Sequence, residues 1–195
     1  MPIQNFAGQT FVAFTDIAGF KARMKDERRG PEALDALYSW GYQIIANQPA
    51  DRPRVEGLFV SDCGILFVRE HPSAVTRLEA LLLAVEQLNR RCFERAVILT
   101  TSVAWGEFSY HQRLEVLGIA KDPIYGHAYI AAYVDSENDS PKLYPTECRI
   151  VKRNLPDDVL GMFENHQGPI GARSRDSNQH YYFEWMRPGE ELAPR

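Results

Sequence analysis

The chain has 195 residues, 45% of them hydrophobic and 25% charged, enough to bury a full core and in keeping with one domain over residues 1–195. A net charge of −4 leaves no nucleic-acid footprint, the longest apolar run is too short to span a membrane, and the opening MPIQNFAGQ has neither a basic start nor a long apolar stretch of a secretion signal. The cysteines, Cys63, Cys92 and Cys148, are odd in number and lack CxxC spacing, so they read as free thiols and the expected setting is the cytoplasm.

The first element is a strand over Thr10 to Asp16, where an apolar run ends on one carboxylate and turns through Ile17-Ala18-Gly19-Phe20 toward a helix. An acid at that junction stands beside free backbone N–H groups, where a metal-bound triphosphate can sit; it is equally suited to cap the helix. Arg29-Gly30-Pro31 then breaks the chain, and Pro31 suits the first turn of a helix with Leu34, Leu37, Tyr38, Ile44 and Ile45 as its apolar stripe. Val55 to Val68, VEGLFVSDCGILFV, reads as two strands meeting at Ser61-Asp62-Cys63-Gly64, a hairpin with one acid at its tip. Asp beside Gly also serves a tight turn by itself.

Ser73 is placed to cap a second long helix, whose Val75, Leu78, Leu81, Leu82, Val85 and Leu88 form a buried face. Ala96 to Phe108 predicts a long strand, and Ser109 to Pro123 a loop or protruding hairpin. A helix from Tyr125 to Glu137, a strand over Arg149 to Lys152, a short helix near Pro156 to Phe163 and a strand over Tyr181 to Met186 complete the order. That order predicts an α+β fold, a ferredoxin-like sheet with helices packed on one face. If the two acid-bearing strands are neighbours, Asp16 and Asp62 stand side by side at one end of the sheet, a hard-oxygen site for magnesium or manganese.

FTDIAGF around Asp16 and VSDCG around Asp62, with their separation, resemble the two metal-aspartate motifs of the class III nucleotidyl cyclases. SVAWGEF (Ser102 to Phe108) and YGHAYIAAYVDSE (Tyr125 to Glu137) follow in that family's order, so the likeness runs over roughly residues 10 to 186. The chain departs from the common adenylyl and guanylyl pattern on its Tyr125-to-Glu137 helix, where Tyr129 and Tyr133 stand at the places of the family's Asn and Arg. Leu58 stands at the purine-reading lysine, and Pro123, with Asp122 adjacent, at the purine-reading acid. The chain looks closer to the stand-alone Pycsar cyclases of bacterial antiphage defence, which make cyclic UMP or cyclic CMP. Gly126, Ala132-Tyr133, Pro141 or Pro145, the CRIV strand at Cys148 to Val151 and the closing HYYFEWM supply that branch's order.

The resemblance implies conversion of UTP or CTP to the 3′,5′-cyclic monophosphate and pyrophosphate. Two divalent cations, Mn2+ or Mg2+, are implied at the catalytic acids Asp16 and Asp62 and the Ile17 carbonyl. The backbone of Ala18, Gly19 and Phe20 is implied in triphosphate binding, Tyr129 and Tyr133 in nucleotide binding or as plain core or interface aromatics, and the active form is implied to be a head-to-tail homodimer with shared sites. Arg113, Lys121, Lys152 and Arg173 are available to neutralise phosphate charge and equally readable as surface cations. His71, His111, His127, His166 and His180 are scattered and take no assigned role. Two alternatives stay open: an adenylate or guanylate cyclase, and a catalytically dead cyclase-like domain that binds a nucleotide or a protein partner.

Overall fold

A computed structural model of the chain describes residues 4–114, 120–165 and 178–186. Strand β1 (Phe6–Ile17) is central, pairing antiparallel with β3 (Cys63–Val68) on one side and with β4 (Leu99–Tyr110) on the other. Strand β2 (Val55–Val60) closes one edge against β3, while β8 (Cys148–Val151), parallel to β4, and β9 (His180–Phe183) extend the other. The order is β2-β3-β1-β4-β8-β9, with β7 (Ile124–Tyr125) pairing the end of β4. Two-residue strands β5 (Arg113–Leu114) and β6 (Ala120–Lys121) pair with each other, the protruding hairpin expected after the long strand.

Alternation along β1 decides what each face of the sheet buries. Phe11, Ala13 and Ile17 join Leu37 of α2 (Arg29–Ala46), Leu78 and Leu81 of α3 (Ala74–Phe93) and Val159 of α5 (Asp157–Glu164) in one core. Val12 and Phe14 point the other way and pack with Ile65, Phe67, Phe108 and two alanines, Ala128 and Ala132, of α4 (His127–Ser136). The predicted α+β sheet is present, with three helices on one face, and α4 lies across the opposite face.

Local chemistry explains the element ends. Ser73 caps α3 as read, its Oγ accepting the Thr76 N–H at 3.1 Å. The break expected at Arg29-Gly30-Pro31 is instead the first turn of α2, because the Asp26 carboxylate accepts the Arg28 and Arg29 N–H groups at 3.0 and 3.3 Å. Strand β1 starts earlier than Thr10 because Ala7, Gly8 and Gln9 pair with the far end of β4. All three cysteines are free thiols. Among the described residues, no helix is long and apolar enough to cross a membrane.

Candidate active site at the end of the sheet

Asp16 lies on the last rungs of β1, opposite Cys63 of β3 and Thr100 of β4. Its side chain shares the α4 face with Phe14, two residues back. Asp62 sits at the tip of the β2–β3 hairpin, where Ser61 takes a left-handed backbone (φ 54°) and reverses the chain. The Ser61 hydroxyl donates to Asp62 Oδ1 at 3.0 Å, and the Ile17 N–H donates to the Asp62 carbonyl at 3.1 Å. The hairpin tip is thus tied to the end of β1, and the two acids anticipated as neighbours come together.

Their proximity has an electrostatic consequence. Burial, then the Asp62 charge, then that of Glu137 push the Asp16 carboxyl up to about 7, against a smaller lowering by the Ile17 N–H. Cys63, between the acids, is driven the same way: burial and the charges of Asp16 and Asp62 push its thiol up to about 11, so it stays protonated. Among the described residues no group of three or more His, Cys, Asp or Glu side chains gathers as a metal site. Two carboxylates and a backbone carbonyl at Ile17 nevertheless suit magnesium or manganese, which commonly take one or two protein carboxylates and complete their shells with water and substrate phosphates.

The three residues expected to cradle phosphates differ in what they can offer. The Ala18 N–H already donates to the Ile98 carbonyl at 2.9 Å, which removes it from the free donors. Gly19 takes a left-handed backbone (φ 71°), and a Cβ at this position would meet no atom within 4 Å, so its surroundings are open toward solvent. Phe20 begins the four-residue helix α1 (Phe20–Arg23).

Helix α4 brings the two tyrosines toward the acids. The Tyr133 ring meets Phe14 edge-on at 5.3 Å and stacks on Tyr129 at 6.3 Å. Tyr133 is exposed, whereas Tyr129 is half-buried, its phenol raised by burial and then by Cys63 and Tyr133. Gly126 lets α4 begin against β4, since a Cβ there would stand 2.3 Å from the Glu107 carbonyl oxygen.

The remaining sequence candidates are dispersed. Leu58 packs into the α4-side core, and Asp122 accepts the Tyr110 hydroxyl at 3.0 Å. Lys152 lies over the Tyr181 ring at 4.2 Å. His71 accepts the Ser73 N–H, His111 bonds the Tyr125 hydroxyl and His127 stands 3.6 Å from Glu107. His166, Arg173 and the side chains of Arg113 and Lys121 lie outside the described residues.

Two groups near the site were given no functional role from the sequence. Tyr38 and Tyr42 of α2 pack on Phe59 with ring centroids 6.1 and 5.0 Å away, beside the strand that leads to Asp62. On the α4 side, Asp135 forms a buried polar cluster with Ser102, Arg149 and His180. An arginine inside the apolar strand CRIV was the one visible signal of it.

Solved structures share this fold across almost the whole chain. The guanylyl cyclase Cya2 matches with a TM-score of 0.58 at 11% identity, covering 97% of this chain and 98% of that one. The dimeric guanylyl cyclase domain of the RhoGC fusion protein from the aquatic fungus Blastocladiella emersonii matches with a TM-score of 0.58 at 12% identity, covering 93% and 98%. The guanylate cyclase domain of RhGC from Catenaria anguillulae, in complex with GTP, matches with a TM-score of 0.54 at 13% identity, again covering 93% and 98%. At these identities the likeness establishes the cyclase catalytic-domain fold. No family profile matches the chain, and no curated protein sequence does.

Proposed function

We propose that the chain is a nucleotidyl cyclase that converts a nucleoside triphosphate to its 3′,5′-cyclic monophosphate and pyrophosphate. The observation that carries this reading is Asp16 and Asp62 held together at the end of a cyclase-fold sheet, close enough that one raises the carboxyl of the other. An uncompensated acid pair opposes folding, and divalent cations relieve it. Bound at Asp16, Asp62 and the Ile17 carbonyl, two such cations would supply acidity at the ribose 3′-hydroxyl and neutralise charge on the departing pyrophosphate. The chain itself holds the acids in register through the Ile17 to Asp62 bond, offers backbone N–H groups at Gly19 and Phe20 to the triphosphate, and presents Tyr129 and Tyr133 for sugar or base.

The favoured substrate is UTP or CTP, because Leu58, Tyr129 and Tyr133 replace the polar residues that handle purine nucleotides in the resembled family. A role in antiphage defence rests on the Pycsar resemblance. The fold relatives named above are guanylyl cyclases, which keeps a purine triphosphate as the second reading. The active form is a head-to-tail homodimer in this reading, consistent with Ile130, Tyr133 and Val134 lying exposed on α4.

Purified protein incubated with manganese and each of UTP, CTP, ATP and GTP tests the proposal, with products read by mass spectrometry. Cyclic UMP or CMP, lost in Asp16→Ala and Asp62→Ala, is the expected result; cyclic AMP or GMP moves the assignment to the purine branch. A well-folded dimer that forms no cyclic product from any of the four overturns the cyclase reading and leaves a nucleotide-binding domain.

A further inference from the structure

Helix α4 packs on the sheet through Ala128, Tyr129, Ala131 and Ala132, none of them a large, fully buried side chain. Its buried residues are two alanines, Ala128 and Ala132, and Ile130, Tyr133 and Val134 are exposed. Its last turn is held in addition by a charged group. The Asp135 carboxylate accepts the Ser102 hydroxyl at 2.6 Å from β4, Arg149 Nε at 2.7 Å from β8, and bonds His180 Nε2 at 2.7 Å from β9. Arg149, with no exposed surface, also donates from Nη2 to the Asp135 carbonyl and from Nη1 to the Pro141 carbonyl at 2.7 Å, gripping the helix end and the segment after it.

The sheet register places this group next to the acid pair. Phe14, Ser102, Arg149 and Tyr182 are successive partners across β1, β4, β8 and β9, and the next rung on the same face is Asp16 opposite Thr100. Residues two apart on a strand are separated by roughly 6.6 Å. Phe14 carries the edge contact with Tyr133, which ties the last turns of α4 to the strand that ends on Asp16. Burial works against the Asp135 charge, yet the bonds from His180, Ser102 and Arg149 and the guanidinium charge together keep its carboxyl below the usual range, so it stays ionised.

A buried ion pair is a poor source of stability, since well-packed apolar residues often serve as well, whereas its directional bonds can fix one arrangement. We infer that Asp135 is a positioning residue: clamped by Ser102, Arg149 and His180, it sets the last turn of α4 so that Tyr133 faces the Asp16–Asp62 site in one geometry. This inference rests on the cyclase reading of that site. Its value to the reaction is orientation, for which displacements of about 1 Å can change rates by about 100-fold.

The test compares wild type with the double variant Asp135→Leu/Arg149→Met, which removes both charges and leaves neither unpaired. The double variant is expected to fold, keep its manganese affinity, lose about tenfold or more in kcat, and change KM by less than about threefold. A folded double variant with wild-type kcat overturns the inference. If the double variant does not fold, Arg149→Lys carries the test, because it keeps the positive charge and gives up the forked grip on the Asp135 and Pro141 carbonyls; a kcat lowered at unchanged KM supports the role and an unchanged kcat overturns it. Should the wild type make no cyclic product, the cyclase reading fails separately, and amide hydrogen exchange decides the clamp. Faster exchange over residues 134–138 than over 128–132 in the variant supports it, and equal protection to wild type refutes it.

Discussion

Replacing Asp16 by Asn should stabilise the cation-free protein, and by an amount that grows with pH. The folded carboxyl holds its proton up to about 7, mainly through burial and the Asp62 charge, whereas the ordinary value is 3.8. Between those values the folded state binds more protons than the unfolded chain, so the stabilising contribution of protonated Asp16 is complete below 3.8 and is lost as pH rises through about 7. The gap caps the cost of ionised Asp16 at about 4 kcal/mol. Asp16 is only partly buried, so solvent screening reduces that to about 1–2 kcal/mol. In a chain of 195 residues this is a rise in Tm of about 2–8 °C for Asp16→Asn at about pH 8 in chelator, and less than about half as much near pH 5. Melting curves of both proteins over that range measure it. A variant no more stable than wild type at about pH 8, or a gain that does not change with pH, would refute the claim that burial and the neighbouring Asp62 charge burden ionised Asp16 in the free protein.

Other substitutions probe separate parts of the account. Asp135→Asn alone leaves the Arg149 guanidinium buried without its charge partner and should cost about 3–5 kcal/mol in chemical denaturation, in contrast to the double replacement that removes both charges. Gly126→Ala would force a Cβ to within 2.3 Å of the Glu107 carbonyl oxygen at φ 131°, so a loss of about 2–4 kcal/mol is expected in urea melts. Ser73→Ala removes the cap of α3 and should cost about 1 kcal/mol with no effect on product formation. Tyr133→Ala should lower cyclic-nucleotide output by about tenfold or more while leaving manganese-induced stabilisation intact; output equal to wild type would remove Tyr133 from the site.

The parts of this molecule that were legible in the sequence are those whose signal is local. Two apolar runs meeting at Ser61-Asp62 announce a hairpin, and a serine followed by an apolar stripe announces α3 and its cap. The nearness of Asp16 and Asp62 was legible only as a condition, because hairpin strands must find a neighbour and several apolar strands could have supplied one. Pro31 was rightly read into the first turn of α2, but the helix begins at Arg29, inside the apparent break, because Asp26 ahead of it satisfies the free N–H groups there. Spacing alone gave no hint that the Ala18 N–H is consumed by Ile98, since that bond depends on where β4 begins. The Asp135 clamp was hidden for a related reason: its members come from α4, β4, β8 and β9, and only the folded sheet brings them together.

Asp16 and Asp62 are proposed to act as one cation-binding unit for a triphosphate. Manganese titration followed by electron paramagnetic resonance, with a non-cyclisable UTP analogue present, tests it most directly in wild type, Asp16→Ala, Asp62→Ala and the double variant. Tight binding is expected in wild type and comparable loss in either single variant, with the double variant little worse, because the two side chains share the same ions. Binding that survives removal of either acid, or losses that simply add, would contradict it.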